Sequence, residues 1–241
     1  MARPSLKAQR LEHLRRICSE GAIVRLADAA ARLGTTEITI RRDLQDKATG
    51  LACLGGYVMQ IAPGADGYSL AQAEERESAA KIAAATAAIS VIQPGDTIFV
   101  DCGTTTPHLV ARLPYGMRLT VVTNALNCAE ILARNDDCDV VLLGGFFYRS
   151  TASFVSESAV EQISRLKISK AFLSAGGVTR DLVTCFHSHE VPIKRAAIAR
   201  AAQSFLVADT TKWGHRAAAT FARLDEFSDW FGAPREVTLP G

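Results

Sequence analysis

The chain has 241 residues, 48% hydrophobic and 22% charged, enough to bury a sizeable core in one large domain or two smaller ones. No run approaches the roughly 18 to 20 apolar residues of a membrane span. The start, MARPSLKAQRLEHLRR, also lacks the apolar core of a secretory leader, so a cytoplasmic protein with no membrane partner is expected. Net charge is only +2, yet Lys and Arg outnumber Asp and Glu ten to six in residues 1–60 and trail them seventeen to nineteen afterwards, which fits a phosphate-backbone partner at one end alone.

Ser5 can cap a first helix whose Leu11, Leu14, Ile17 and Cys18 fall on one stripe and which Gly21 stops. In a second helix Leu26, Ala29, Ala30 and Leu33 sit at i, i+3, i+4 and i+7, and the alanines let another helix cross closely. Gly34 makes the turn, and Thr35 or Thr36 caps a third helix in TEITIRRDLQDK, with Ile40 and Leu44 inward. The face opposite carries Ile38, Arg42 and Gln45, flanked by Thr39 and Arg41. With Thr36 at the cap these form a candidate DNA-reading set, since arginine bonds guanine or phosphate, glutamine bonds adenine, and isoleucine can lie on a thymine methyl. Leu51–Leu54, Gly55–Gly56 and Tyr57–Met59 read as a hairpin behind it, the wing of a winged helix-turn-helix.

The run LADAAARLGTTEITIRRDL resembles the DNA-binding domain of the DeoR family of bacterial sugar-metabolism regulators, most specifically in T-I-R-R-D-L from Thr39 to Leu44. The resemblance implies that Thr39, Arg41 and Arg42 touch DNA.

APGADG, residues 62–67, is Pro/Gly punctuation, and the domain boundary is placed there: residues 1–61 bind DNA, 62–69 link, and 70–241 form a second domain. An alanine-rich helix, about Gln72 to Val91, restarts the chain, and Pro94–Gly95 closes it. Strands are expected at Thr97–Asp101, Leu119–Thr123, Val140–Leu143, Ala171–Ser174 and Phe205–Ala208, with helices at Thr106–Leu113, Ala125–Ala133, Ser158–Leu166 and Val191–Ala202. This alternation predicts an α/β domain with a mainly parallel sheet, attached to the small α+β winged helix-turn-helix.

Every expected strand ends in small, hydroxyl-bearing or charged residues: Asp101-Cys102-Gly103-Thr104-Thr105-Thr106-Pro107, Thr123-Asn124, Gly144-Gly145, Ser174-Ala175-Gly176-Gly177 and Asp209-Thr210-Thr211-Lys212. In an open α/β sheet these ends share the edge where ligands bind, and hydroxyls and free N–H groups there suit a phosphate. Lys212 is the one lysine in a strand-end loop and the candidate charge partner. D-C-G-T-T-T, V-V-T-N, L-L-G-G, S-A-G-G-V and A-D-T-T-K-W-G resemble the signatures of the DeoR effector domain. That likeness implies a ribose-5-phosphate isomerase-like fold. It also implies a sugar-phosphate pocket lined by Asp101, Gly103, Thr104, Thr105, Thr106, Asn124, Gly144, Gly145, Ser174 and Lys212.

TCFHSHEVPIKRAA, with Cys102 and the LGGY hairpin, resembles the branch of the family governing deoxyribonucleoside catabolism, which implies deoxyribose 5-phosphate as the effector. The expected function is an oligomeric, operator-binding repressor released by a phosphorylated sugar, activation being left open. The alternative is a sugar-phosphate isomerase-like enzyme carrying a DNA-binding domain, disfavoured because Ser174–Val178 offers no carboxylate to act as base.

No cofactor or metal is expected. Cys18, Cys53, Cys102, Cys128, Cys138 and Cys185 form no C-x-x-C pair, and His187 and His189, alternating on an extended segment, should point to opposite sides. Glu190 and Lys194, at i and i+4, read as a surface pair, although the family likeness can bring them to the pocket. After Phe227 the family continues into an apolar strand, but SDWFGAPREVTLPG reads as a last strand missing or degenerate.

Overall fold

The computed structural model describes residues 5–18, 24–44, 51–54, 56–60, 78–235 and 237. The chain divides into two compact units, Met1–Gly67 and Tyr68–Gly241. Gly21, Gln45, Gly55, the expected linker 62–69 and the start of the expected alanine-rich helix, 72–77, lie outside the described residues.

In the first unit Ser5 Oγ accepts from Ala8 N at 3.2 Å and opens α1 (Leu6–Cys18), which buries Leu11, Leu14 and Cys18. A short strand, β1 (Val24–Arg25), leads into α2 (Leu26–Arg32), buried through Leu26, Ala29 and Ala30. The cap of α3 (Glu37–Asp43) is Thr36, whose Oγ1 accepts from Thr39 N at 3.2 Å. β2 (Leu51–Leu54) and β3 (Tyr57–Gln60) form a hairpin, and β3 also pairs β1, giving the order β1-β3-β2. Leu14, Leu26, Ile40, Leu51 and Val58 meet in one apolar core. Asp43 is buried against this core and held by Arg10, whose Nε and Nη2 lie 2.8 and 2.7 Å from its Oδ2.

The second unit begins its described part with α4 (Ser78–Ala88), followed by β4 (Thr97–Val100), α5 (Thr106–Val110), β5 (Leu119–Thr123), α6 (Leu126–Leu132) and β6 (Cys138–Leu142). A hairpin of β7 (Phe146–Tyr148) and β8 (Ser153–Val155) leads through α7 (Glu157–Arg165) to β9 (Ile168–Leu173). β10 (Gly177–Val178), β11 (Leu182–Cys185), α8 (Val191–Arg200), β12 (Ala201–Val207), β13 (Ala219–Arg223) and β14 (Asp229–Phe231) complete it. Six strands form one sheet in the order β14-β12-β9-β4-β5-β6, and every pairing in it is parallel.

Parallel neighbours need helical crossovers, so the inner strands are buried on both faces. One face packs Ile98, Val100, Val121 and Phe172 against Ala84, Ala85 and Ala88 of α4 and the apolar sides of α5 and α6. The alanines let α4 approach closely. α7 and α8 pack together, and α8 also lies against β9, β12 and β13.

The sequence did not reveal the β7–β8 hairpin or the antiparallel sheet β10-β11-β13. Of the two alternatives for the last strand, missing or degenerate, the first is corrected: a three-residue β14 pairs β12 from Phe205↔Asp229 to Val207↔Phe231. Trp230 is buried there, and its Nε1 donates to Ala208 O at 2.7 Å. A strand of three residues shows little alternation in sequence, and its stability comes from this tertiary anchor.

Candidate functional site

From β4 the chain steps outward through β5 and β6, then returns to place β9, β12 and β14 on the other side. In open α/β sheets the point where the order reverses is the usual place for a ligand. Asp101, directly after β4, and Ser174, directly after β9, meet over that point. Asp101 Oδ2 lies 2.9 Å from both Ser174 N and Ser174 Oγ and accepts from Lys194 Nζ.

Lys194, on α8, is buried with this carboxylate. Its ammonium also donates to Ser174 O at 3.2 Å, lies 3.6 Å from Glu190 Oε2 and sits 4.9 Å from the Phe221 ring centre. Burial alone would lower its pKa, but the Asp101 and Glu190 carboxylates overcome this and hold it well above the ordinary lysine value. Glu190 Oε1 accepts from His187 N at 3.2 Å, and its Oε2 accepts from Cys102 Sγ at 3.5 Å. The reading of Glu190 and Lys194 as a surface pair is therefore corrected: their helix packs on the sheet with that side inward.

The expected pocket residues divide by what the structure does with them. Gly103 has φ +139°, and a Cβ there would lie 2.8 Å from Ser174 Oγ, so the turn beside Asp101 excludes any side chain. Thr104, Thr105 and Thr106 are buried at the start of α5. Asn124, after β5, donates from Nδ2 to Phe154 O at 3.0 Å, while its Oδ1 is buried with no partner among the described residues.

Gly144 O accepts from Ser156 Oγ at 2.8 Å, and Gly145, at φ +151°, would put a Cβ 2.5 Å from Val155 O. Gly145 thus lets the β7–β8 hairpin fold back over the strand ends, whereas a Cβ at Gly144 would meet nothing within 4 Å. Lys212 ends a short turn capped by Asp209, and among the described residues no hydrogen bond or ion pair joins its ammonium to Asp101 or to Thr104–Thr106.

His187 and His189 do not point apart as expected. Ser188 opens a tight helical turn, and the two rings stack 5.1 Å apart, His189 also stacking on Tyr148 at 3.6 Å. Among the described residues no group of three or more His, Cys, Asp or Glu side chains could hold a metal ion.

Burial, then the neighbouring His187 and Lys194, push His189 down to about 3. Because this folded value lies below the unfolded one, protonation favours the unfolded chain. The stability contributed by neutral His189 is present above about pH 6.5 and is lost as pH falls towards 3. Between pH 7 and pH 5 the loss should be about 2 kcal/mol, and His189→Gln should remove it when denaturant midpoints are compared at the two pH values.

On α3, Ile40 is fully buried while Ile38 is 78% exposed, and Thr36, Arg41 and Arg42 also face solvent. Thr39 is half-buried, its hydroxyl 2.9 Å from that of Thr36. Sequence reasoning overlooked Asp43, which ties this helix to α1, and only weighed Lys194. Glu190, Ile193, Lys194 and Ala197 sit at i, i+3, i+4 and i+7, so two charges on an otherwise apolar stripe were the available signal.

Compared with known proteins, residues 76–231 match the DeoR C terminal sensor domain. The chain is 35% identical over 203 residues to the Deoxyribose operon repressor of Escherichia coli (strain K12), covering 84% of this chain and 81% of that protein. It is 29% identical over 212 residues to the Lactose phosphotransferase system repressor of Lactococcus lactis subsp. lactis, covering 86% and 83%. These relatives are named as repressors, not enzymes. Among solved structures, ribose 5 phosphate isomerase A from Neisseria gonorrhoeae is similar with a TM-score of 0.42 and 18% identity over 57% of this chain, which spans about half that protein's length (53%).

Proposed function

The chain belongs to the DeoR family of transcriptional regulators, and from that premise we propose that it is a repressor, not an enzyme, which leaves its operator when a phosphorylated sugar fills the crevice over β4 and β9. Residues 1–61 would hold DNA as a winged helix-turn-helix, 62–69 would link, and 70–241 would sense the ligand. The observation that carries this reading is a set of strand-end residues, inside the segment matching the sensor domain, whose buried polar atoms are left partly unmet among the described residues. A buried acceptor without a partner is costly in a purely structural site and useful in one that awaits a ligand.

Two copies presenting two α3 helices to a two-fold operator make a homo-oligomer the working form. The deoxyribose relative favours deoxyribose 5-phosphate as effector. Phosphate would gain charge-assisted hydrogen bonds from Thr104–Thr106 and Lys212, which the bare sugar cannot.

The test uses a DNA duplex selected by the protein from a random pool and followed by fluorescence anisotropy. Millimolar deoxyribose 5-phosphate should release the duplex, whereas deoxyribose should not, and Lys212→Ala or Thr105→Val should block release with operator affinity almost unchanged. Anisotropy indifferent to every pentose and hexose phosphate tried would remove the ligand-controlled reading.

A further inference from the structure

Helix α3 has seven residues, too few to be stable alone, so its placement comes from what it packs on. Its buried apolar anchors are Ile40 and, just past its end, Leu44, one turn apart. Apolar contacts of this kind hold a helix close without direction, and one stripe of them lets it roll. The directed tie is Asp43. Its Oδ2 lies 2.8 Å from Nε and 2.7 Å from Nη2 of Arg10 on α1, and the two side chains are only 5% and 22% exposed.

Where the tie sits on the helix decides what it controls. At about 100° per residue, Asp43 lies about 60° to one side of Ile40 and Leu44 about 40° to the other, so the tie is off the centre of the apolar stripe and resists roll. Arg41 and Arg42, the two residues before it, face solvent. At a radius of about 6 Å, a roll of about 20° carries a side chain about 2 Å, enough to break a hydrogen bond to a base edge. Attraction to phosphate is far less exacting, because charge acts over a Debye length of about 10 Å.

We infer that Arg10 and Asp43 are positioning residues for DNA recognition: the buried pair fixes the roll of α3, so that Arg41 and Arg42 meet base edges in register, and it governs discrimination between sequences more than total affinity. This rests on the reading of α3 as the helix that meets DNA. It adds a residue outside that helix, Arg10, which never touches a base yet sets how well one is read.

The test compares the full chain with Asp43→Asn, Arg10→Lys and the double variant Arg10→Met with Asp43→Leu, on a duplex selected by the wild type from a random pool and on a scrambled duplex of the same composition. Hydrogen exchange in the peptides carrying α1 and β3 shows that the unit stays folded. In Asp43→Asn the ratio of the two affinities should fall about tenfold, the size of losing one base contact, while affinity for the scrambled duplex and its salt slope stay within about twofold of wild type. Arg10→Lys keeps the charge but replaces the two-donor fork with a rotatable ammonium, so it should lose discrimination with folding intact, and it decides the matter if Asp43→Asn unfolds. The apolar double variant restores packing without direction and should remain a poor discriminator. Equal losses on both duplexes, discrimination within about twofold of wild type in the folded variants, or its recovery in the double variant would each make the pair purely structural, and the inference falls while the DNA-binding reading stands. A wild type that holds both duplexes alike overturns both.

Discussion

Replacing Lys194 with methionine will destabilise the second unit by about 3–5 kcal/mol, the usual cost of removing one partner from a buried ion pair. Methionine fills much the same volume, so the loss reports charge and not a cavity. Asp101 and Glu190 would then be left in the core with their carboxylates 1% and 9% exposed and no cation between them. Double replacement of Lys194 by Met and Asp101 by Asn should recover part of the loss, which a packing defect would not.

The pH dependence has a definite sign. Lys194 titrates higher in the folded chain than in the unfolded one, so its contribution is complete below about pH 10.5 and disappears only as pH rises through the folded value. Urea midpoints of the variant should therefore be lower than wild type throughout the neutral range and converge with it only in strong alkali. A variant as stable as wild type at pH 7 would show that the cluster is not a structural ion pair.

Replacing both Arg41 and Arg42 with alanine should reduce operator affinity by about 2 kcal/mol or more, each side chain supplying roughly 1–3 kcal/mol through a base or a phosphate. Both lie on the solvent face of α3, opposite buried Ile40, so folding should be unaffected. The two roles separate with salt. A phosphate contact adds about one to the slope of log affinity against log salt, whereas a base contact adds sequence preference. Equal gel-shift affinities for wild type and the double variant would place the DNA surface elsewhere.

The parallel sheet was legible because its inner strands are buried on both faces and read as short apolar runs ending in Gly, Thr, Asn or Asp. Boundaries were less so. Helix α8 ends at Arg200 and β12 begins at Ala201 with no Gly or Pro between them, so a run of alanines gave helix propensity to residues that tertiary pairing extends into a strand. Strands β10, β11 and β13 were hidden because two- to five-residue antiparallel pieces carry too few alternations to stand out.

The site was half visible for a related reason. Asp101, Ser174 and Gly103 announce themselves as strand-end residues, whereas Lys194 reaches Asp101 and Ser174 from a helix far along the chain. Only an apolar stripe carrying Glu190 and Lys194 betrayed it. Asn124 and the two glycines were marked by position, but that Asn124 and Gly145 also hold a hairpin follows from contacts no local pattern encodes.

The buried thiols turn the second unit into its own stopwatch. Burial raises Cys128 and Cys185 to about 12, and burial with the adjacent carboxylates likewise holds Cys102 well above the ordinary thiol value, so almost none of the reactive thiolate exists at neutral pH while the unit stays closed. An alkylating reagent will mark these three positions only at the rate at which the structure opens, and peptide mapping can time each one separately. A molecule seated in the crevice lengthens those times in step with its occupancy, so affinity can be read from a mass spectrum without labelling the ligand or supplying any DNA.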